Sequence, residues 1–213
     1  MKKLFLTAIF FTTLIQCVNA QEQQFGIIGG ANYSTYVGDL SNFADIQRRL
    51  SFHLGISSEF YLSDNISFSP RIMYSSQGYN DEVDIRGGFE NPTSNVKFAQ
   101  RINFLNIPML FNLYLTEKLG VQAGPQVGFL LNAVGVVKDN GGEESVEEGR
   151  GSSSNGNFKF DYGARLAAIY KITDFVRVEF GYYHGFSNIN RSSIGSFTNN
   201  NSVFQLSVGY FIL

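Results

Sequence analysis

Phe52-His53-Leu54-Gly55-Ile56-Ser57-Ser58-Glu59-Phe60-Tyr61-Leu62 alternates large apolar side chains with small or polar ones. After Ser63-Asp64-Asn65 the alternation resumes in Ile66-Ser67-Phe68-Ser69-Pro70-Arg71-Ile72-Met73-Tyr74. A period of two belongs to β-strands, whose successive side chains point to opposite faces. Phe52, Leu54, Ile56, Phe60 and Leu62 therefore share one face, and His53, Gly55, Ser57, Glu59 and Tyr61 the other. A joint this short returns the chain antiparallel to itself, as a hairpin.

The same two-faced pattern recurs along the chain. Leu105, Ile107, Met109, Phe111 and Leu113 oppose Phe104, Asn106, Leu110 and Asn112. Val121, Ala123, Val127, Phe129 and Leu131 oppose Gln122, Gly124, Gln126, Gly128 and Asn132. Phe160, Tyr162, Ala164, Leu166, Ala168 and Tyr170 oppose Asp161, Gly163, Arg165 and Ala167, and Val176, Val178, Phe180 and Tyr182 oppose Arg177, Glu179, Gly181 and Tyr183. A last strand sets Phe204, Leu206, Val208, Tyr210 and Ile212 against Val203, Gln205, Ser207, Gly209 and Phe211. The first strand, 25–33, is blurred by Gly26, Gly29 and Gly30. Joints at 63–65, 116–119 and 172–174 are short, whereas those at 35–50, 80–96, 134–157 and 187–201 are long. The pattern predicts an all-β, eight-stranded, antiparallel, up-and-down transmembrane β-barrel with its polar face inward. In outer-membrane barrels short turns face the periplasm and long loops face outside, which places both termini in the periplasm.

The N-terminus fits that destination. Lys2 and Lys3 precede an apolar run over 4–15, and Val18-Asn19-Ala20 offers a cleavage site, so 1–20 reads as a signal peptide and 21–213 as the barrel domain. A membrane-spanning helix needs roughly 20 apolar residues, more than this run supplies. Leu14-Ile15-Gln16-Cys17 loosely resembles a lipoprotein cleavage box, which is the alternative; cleavage after Ala20 leaves the mature chain without its one cysteine. The formal charge of −2 becomes −4 once Lys2 and Lys3 are removed, and nothing in it recruits nucleic acid. Aromatic residues reach 15% with 21 Phe, 11 Tyr and no Trp, while mean hydropathy is −0.05. A helical membrane protein would show long continuous apolar runs instead.

The inward parity carries six charges: Glu59, Arg71, Asp161, Arg165, Arg177 and Glu179. Unpaired ions inside a closed structure are costly, so these are expected to form an interior polar network. The tight turns place Glu59 diagonally across from Arg71, and Arg165 diagonally across from Glu179. Solvent-facing charges on a soluble sheet would give the same parity; strands of ten residues are long for a soluble sandwich. The bulky inward residues, among them Tyr61, Met73, Phe104, Leu110, Tyr183 and Phe211, predict a filled lumen, with Gly55, Gly124, Gly128, Gly163, Gly181 and Gly209 making room for them.

Catalysis would need a nucleophile, a base and an orienting group together. Of the two histidines, His53 has inward parity near the external end of its strand and His184 outward parity among Tyr182 and Tyr183, so they do not share a site. No spacing motif singles out a serine. Asp139, Glu143, Glu144, Glu147 and Glu148 lack the ligand order of a calcium loop and read as a solvated external loop. No enzyme activity, cofactor or metal is expected.

Gly29-Gly30-Ala31-Asn32-Tyr33-Ser34, Phe52-His53-Leu54-Gly55-Ile56, Asn103-Phe104-Leu105-Asn106-Ile107-Pro108, Gln122-Ala123-Gly124-Pro125 and Leu206-Ser207-Val208-Gly209-Tyr210-Phe211 resemble the PorT-like outer-membrane β-barrel family of Bacteroidetes. The likeness covers essentially the whole mature chain. Members often carry Glu where Arg71 and Asn106 stand here, and this chain runs on to Ile212-Leu213 past the usual terminal aromatic. The resemblance implies fold and outer-membrane localisation. The residue patterns add a structural or interaction role through the external loops, with outer-membrane lipid and envelope or extracellular proteins as partners and a monomer as the expected state. The alternative implied by the resemblance is an accessory barrel in secretion or transport.

Overall fold

The computed structural model describes residues 23–38, 46–85, 94–139, 142–150, 160–188 and 198–212. Among them nine strands form one sheet: β1 (Gln23–Gly38), β2 (Ile46–Ser63), β3 (Ile66–Ile85), β4 (Ser94–Tyr114), β5 (Leu119–Asp139), β6 (Gly142–Arg150), β7 (Phe160–Lys171), β8 (Val176–Gly185) and β9 (Asn199–Ile212). Each of β1 to β5 pairs antiparallel with the next, β5 pairs with β7, and β8 and β9 follow. The ring closes where β9 pairs with β1, from Phe25 opposite Ile212 to Gly38 opposite Asn199. The result is an eight-stave antiparallel up-and-down barrel, with β6 as an extra strand on the upper part of β5.

Exposure is inverted relative to a protein folded in water. Leu50 is 71% exposed, Leu166 62% and Ile27 60%, while Glu59 and Glu179 are 0% exposed and Arg71 and Arg165 1%. Soluble proteins almost never bury such charges while displaying a continuous apolar belt. Hydrocarbon outside and a closed lumen inside satisfy both, and closure leaves no backbone edge in lipid. Aromatic rings gather at both margins of the belt, as at Phe175 and Tyr210 (centroids 6.4 Å apart) and at Tyr182 and Phe204 (4.9 Å).

Two of the three short turns are alike in construction. Thr116 Oγ1 accepts from Leu119 N at 2.9 Å, and Thr173 Oγ1 accepts from Val176 N at 3.0 Å. In each, a threonine hydroxyl holds the reversal that the next strand continues.

At the opposite end the strands run further than alternation alone suggests. β3, β4 and β5 are 20, 21 and 21 residues long, and a tilted membrane strand needs only about 9–11. β7, β8 and β9, with 12, 10 and 14 residues, stop far sooner. The barrel thus has a tall wall and a low wall. Much of what reads as long loop is strand: 134–157 contains the end of β5 and all of β6, and 80–96 contains the β3 and β4 extensions. The first strand is likewise longer than 25–33, and its glycines keep a regular register, with Gly30 opposite both His53 and Ser207. Gly78 has a φ of +126°, and a Cβ there would lie 1.8 Å from the Gln100 carbonyl oxygen, so only glycine fits as the wall leaves the belt. Residues 1–20, with Cys17, lie outside the described residues.

One face assignment changes along β5. Asn103 pairs with Asn132 but Phe104 with Leu130, so Leu131 is an extra residue that bulges the strand. Beyond it parity flips. Asn132, expected inward, lies on the outer side, where Asn103 Nδ2 donates to its Oδ1 at 2.7 Å, and Ala133 turns inward instead, beside Ile102.

Candidate functional site

Inside the ring, side chains from all eight staves form a continuous polar column. At the short-turn end Glu59 accepts from Tyr114 Oη at 2.7 Å, Asn112 Nδ2 at 2.9 Å and the Ser67 hydroxyl. Arg177 Nη1 pairs with the other Glu59 oxygen, and Arg177 Nε lies 3.3 Å from Glu179 Oε1. Arg71 holds Glu179 with two parallel bonds of 2.7 Å, the planar fork that suits a carboxylate. Arg165 Nη2 is 3.5 Å from Glu179 Oε2, and its Nη1 donates to Gln205. Glu179 is thus the hub of three guanidiniums.

These contacts correct the pairings expected from adjacent strands. Glu59 pairs with Arg177 rather than Arg71, and the principal partner of Glu179 is Arg71, with Arg165 more distant. The long side chains reach across the lumen between β2 or β3 and β8 instead of along one hairpin. Asp161 stands apart from the five: it accepts from Asn201 Nδ2 at 3.0 Å and from the Ser187 hydroxyl near the opposite mouth. Two carboxylates therefore face three arginines within the cluster. The rest of the lining spreads that excess over neutral dipoles, which a low-dielectric lumen requires.

Above the charges the column becomes neutral. Gln205 Nε2 donates to Asn32 Oδ1 at 2.9 Å, and Asn32 Nδ2 donates to Ser75 Oγ at 3.0 Å and to the Ser76 carbonyl at 2.7 Å. Gln77 Nε2 donates to Ser75 Oγ at 3.0 Å, and Asn201 Nδ2 donates to Gln77 Oε1 at 2.9 Å, which joins the column to Asp161. Over it sits an apolar layer of Tyr36, Ile102, Phe104, Leu130 and Ala133, with Tyr79 packed against it. At the other end the Arg177 guanidinium lies 3.5 Å from the Phe211 ring centroid and Lys171 Nζ 3.8 Å from that of Tyr114. Rings thus cap the short-turn end of the charged layer, and amides cap the other.

Two inward glycines do make room as expected: a Cβ on Gly209 would meet Phe211 at 2.6 Å, and one on Gly128 would meet Asn106 at 2.6 Å. Gly55, Gly124 and Gly163 serve differently. There a Cβ would strike the backbone of the adjacent strand, at Ile72, Met109 and His184, so close strand approach is what excludes a side chain.

His53 sits mid-strand, because β2 begins at Ile46, and not near the end of its strand. Its Nδ1 is 2.7 Å from Asn32 Oδ1 and its Nε2 2.8 Å from Ser207 Oγ. Serine, histidine and an amide in line have the outline of a nucleophilic relay. Yet Ser207 and Asn32 are 0% exposed and His53 1%, in a packed lumen, so the trio works as a hydrogen-bonded strut. His184, on the outer wall, lies 3.3 Å from Tyr182 Oη and stacks in the aromatic margin. Among the described residues no three His, Cys, Asp or Glu side chains gather closely enough to share a metal ion. Parity already places Asn112 and Gln205 inward; Tyr114 and Asn32 are the members of the column that the sequence reading misses, although alternation continued from Asn112 and from Gly30 points to both.

Residues 19–191 match the family described as outer membrane protein beta-barrel domain. No curated protein matches the chain. Among solved structures, similar folds are Ail, the attachment invasion locus protein of Yersinia pestis (11% identity, 90% of this chain and 99% of that one, TM-score 0.49), and Neisserial surface protein A (12%, 87% and 96%, 0.48). OprG from Pseudomonas aeruginosa is also similar (13%, 90% and 97%, 0.40). The chain belongs to the outer membrane protein beta-barrel domain family, and the bilayer that its apolar belt faces is the outer membrane.

Proposed function

We propose that the chain, after loss of residues 1–20, is a closed, non-catalytic outer-membrane barrel that acts by contact through its long-connection end, displayed outside the cell. The observation that carries this reading is the filled lumen. A charged layer capped by rings, a neutral hydrogen-bonded layer and the Tyr36, Ile102, Phe104 and Leu130 layer leave conduction no role. The tall wall of β3 to β6 then supplies what a contact protein needs: a rigid surface raised beyond the membrane.

Planar bilayers test the closed state. Purified protein gives no stable ohmic steps, and reproducible conductance abolished by denaturation would replace this reading with transport. Orientation is tested on intact cells, where added protease cuts between Arg150 and Phe160, a stretch holding Gly151-Ser152-Ser153-Ser154, and spares Ser63-Asp64-Asn65. Cleavage at the short turns would invert the molecule.

A second reading, a PorT-like accessory barrel of Bacteroidetes, draws on the Asn103–Pro108 and Gln122–Pro125 runs of the resemblance. They lie on the adjacent strands β4 and β5 but offset along them, with Pro108 opposite Gln126, just past the second run, and Ala123 opposite Phe111. Exchange of the long connections abolishes function under the first reading; exchange of the short turns and wall residues does so under the second.

A further inference from the structure

On the outer wall Arg48 stands where lipid begins. Arg48 follows Ile46 at the start of β2, and its guanidinium lies 4.8 Å from the Phe204 ring centroid and 5.6 Å from that of Tyr33. It donates to the Tyr33 carbonyl at 3.3 Å and to Ser202 Oγ at 3.3 Å. Ser202 Oγ in turn is 3.1 Å from Tyr182 Oη. The cation is thereby pinned, by two rings and a hydroxyl, at the margin of the apolar belt on the long-connection side. Among the described residues no carboxylate pairs with it.

Directly below the two rings the wall is hollow. Tyr33, Leu50, Phe180, Phe204 and Leu206 border an outward groove of about 480 Å³, whose floor is at Ala31. The hollow comes from sequence: along the outer face of β1, Phe25, Ile27 and Tyr33 are large, but Gly29 and Ala31 between them are small. Ala31 lies opposite Phe52 on one side and Leu206 on the other, so two large neighbours wall a shallow floor. An apolar trough headed by a cation that no described carboxylate pairs matches one ligand chemistry, a lipid whose phosphate-bearing headgroup carries an acyl chain.

We infer that Arg48 and the trough at Ala31 form a site for a phosphorylated glycolipid of the outer leaflet. The phosphate takes charge-assisted hydrogen bonds from Arg48, and one acyl chain lies over Ala31 between Leu50, Phe180 and Leu206. The choice of leaflet rests on the orientation proposed above, which protease accessibility reads separately.

The test is native mass spectrometry of the full barrel in detergent, titrated with lipid A, with dephosphorylated lipid A and with phosphatidylglycerol. Folding of every variant is checked by heat-modifiable migration on gels. Wild type retains lipid A about tenfold better than the dephosphorylated form, the size expected for one hydrogen-bonded charge. R48Q abolishes that preference and R48K keeps part of it. A31F, which fills the trough from a lipid-facing position, weakens both forms of lipid A together. Equal retention of the two forms by wild type, or an unchanged preference in R48Q, overturns the site; so does an unaffected A31F, since the chain would then lie elsewhere. Phosphatidylglycerol bound as well as lipid A, or dimers that disappear with A31F, would assign the patch to another occupant and overturn the inference.

Discussion

The two halves of the lumen solve the same problem by different means. Toward the short turns, space is filled by five ions, Glu59, Arg71, Arg165, Arg177 and Glu179, held by cross-lumen pairs such as the 2.7 Å fork between Arg71 and Glu179. Toward the long connections it is filled by amides, hydroxyls and His53, then by Tyr36, Ile102, Phe104 and Leu130. In the charged half each carboxylate gathers several donors, so deleting one carboxylate strands the cations around it. In the neutral half most groups have more than one modest partner, and losses stay local.

Glu179→Gln is the most severe way to break that contrast. It leaves Arg71, Arg165 and Arg177 around a single carboxylate, Glu59, and costs about 3–5 kcal/mol of unfolding free energy in a urea titration of the micelle-bound barrel. A loss no larger than that of a neutral-half substitution would show that the charges are well solvated. Arg71→Met comes next, at about 2–3 kcal/mol, because it removes both bonds of the fork while Arg177 and Arg165 still attend Glu179. Its double-mutant cycle with Glu179→Gln gives a large coupling; additivity would mean that the fork is absent.

His53→Leu probes the neutral half. It leaves Ser207 without its 2.8 Å partner while Asn32 keeps Gln205, Ser75 and Ser76, so the loss is about 1–2 kcal/mol by the same titration. Arg165→Met is the mildest, within about 1 kcal/mol, since it removes the surplus cation of a three-to-two cluster and its 3.5 Å contact is the longest on Glu179. Destabilisation as large as that of Arg71→Met would make Arg165 an equal partner and erase the ranking within the hub.

How far the sequence reveals this interior depends on the level of structure asked of it. The alternation of 52–62 and its successors identifies the wall and its two faces, because lipid on one side and a closed lumen on the other impose a strict period of two. The inward ions are legible for the same reason. Their partners are not: Glu59 looks nearest to Arg71 when only the β2 to β3 hairpin is considered, but the lumen is narrow enough for Arg177 to reach it from β8. Chain neighbours cannot reveal a contact made across the middle. Leu131 is hidden differently, since an inserted apolar residue beside Leu130 keeps the local character of the strand while reversing everything after it. The strand extensions escape notice because the wall beyond the belt has no lipid to impose alternation, and Asn80, Asp81 and Gln100 look like loop.

The junction of β1 with β9 joins the first and last strands of the described chain, through pairs from Phe25 with Ile212 to Gly38 with Asn199. It governs the order in which the molecule can be made. Until the final strand arrives, the outer edge of β1 is a row of bare amides and carbonyls, each costing several kcal/mol if it meets hydrocarbon. A partly synthesised barrel therefore has no stable resting place in the bilayer, and embedding must wait for the C-terminal strand. Closure depends on contacts between the most distant parts of the chain, the slowest kind to form. Residues 199–212 are thereby the segment without which no arrangement of the other strands keeps every backbone edge out of hydrocarbon.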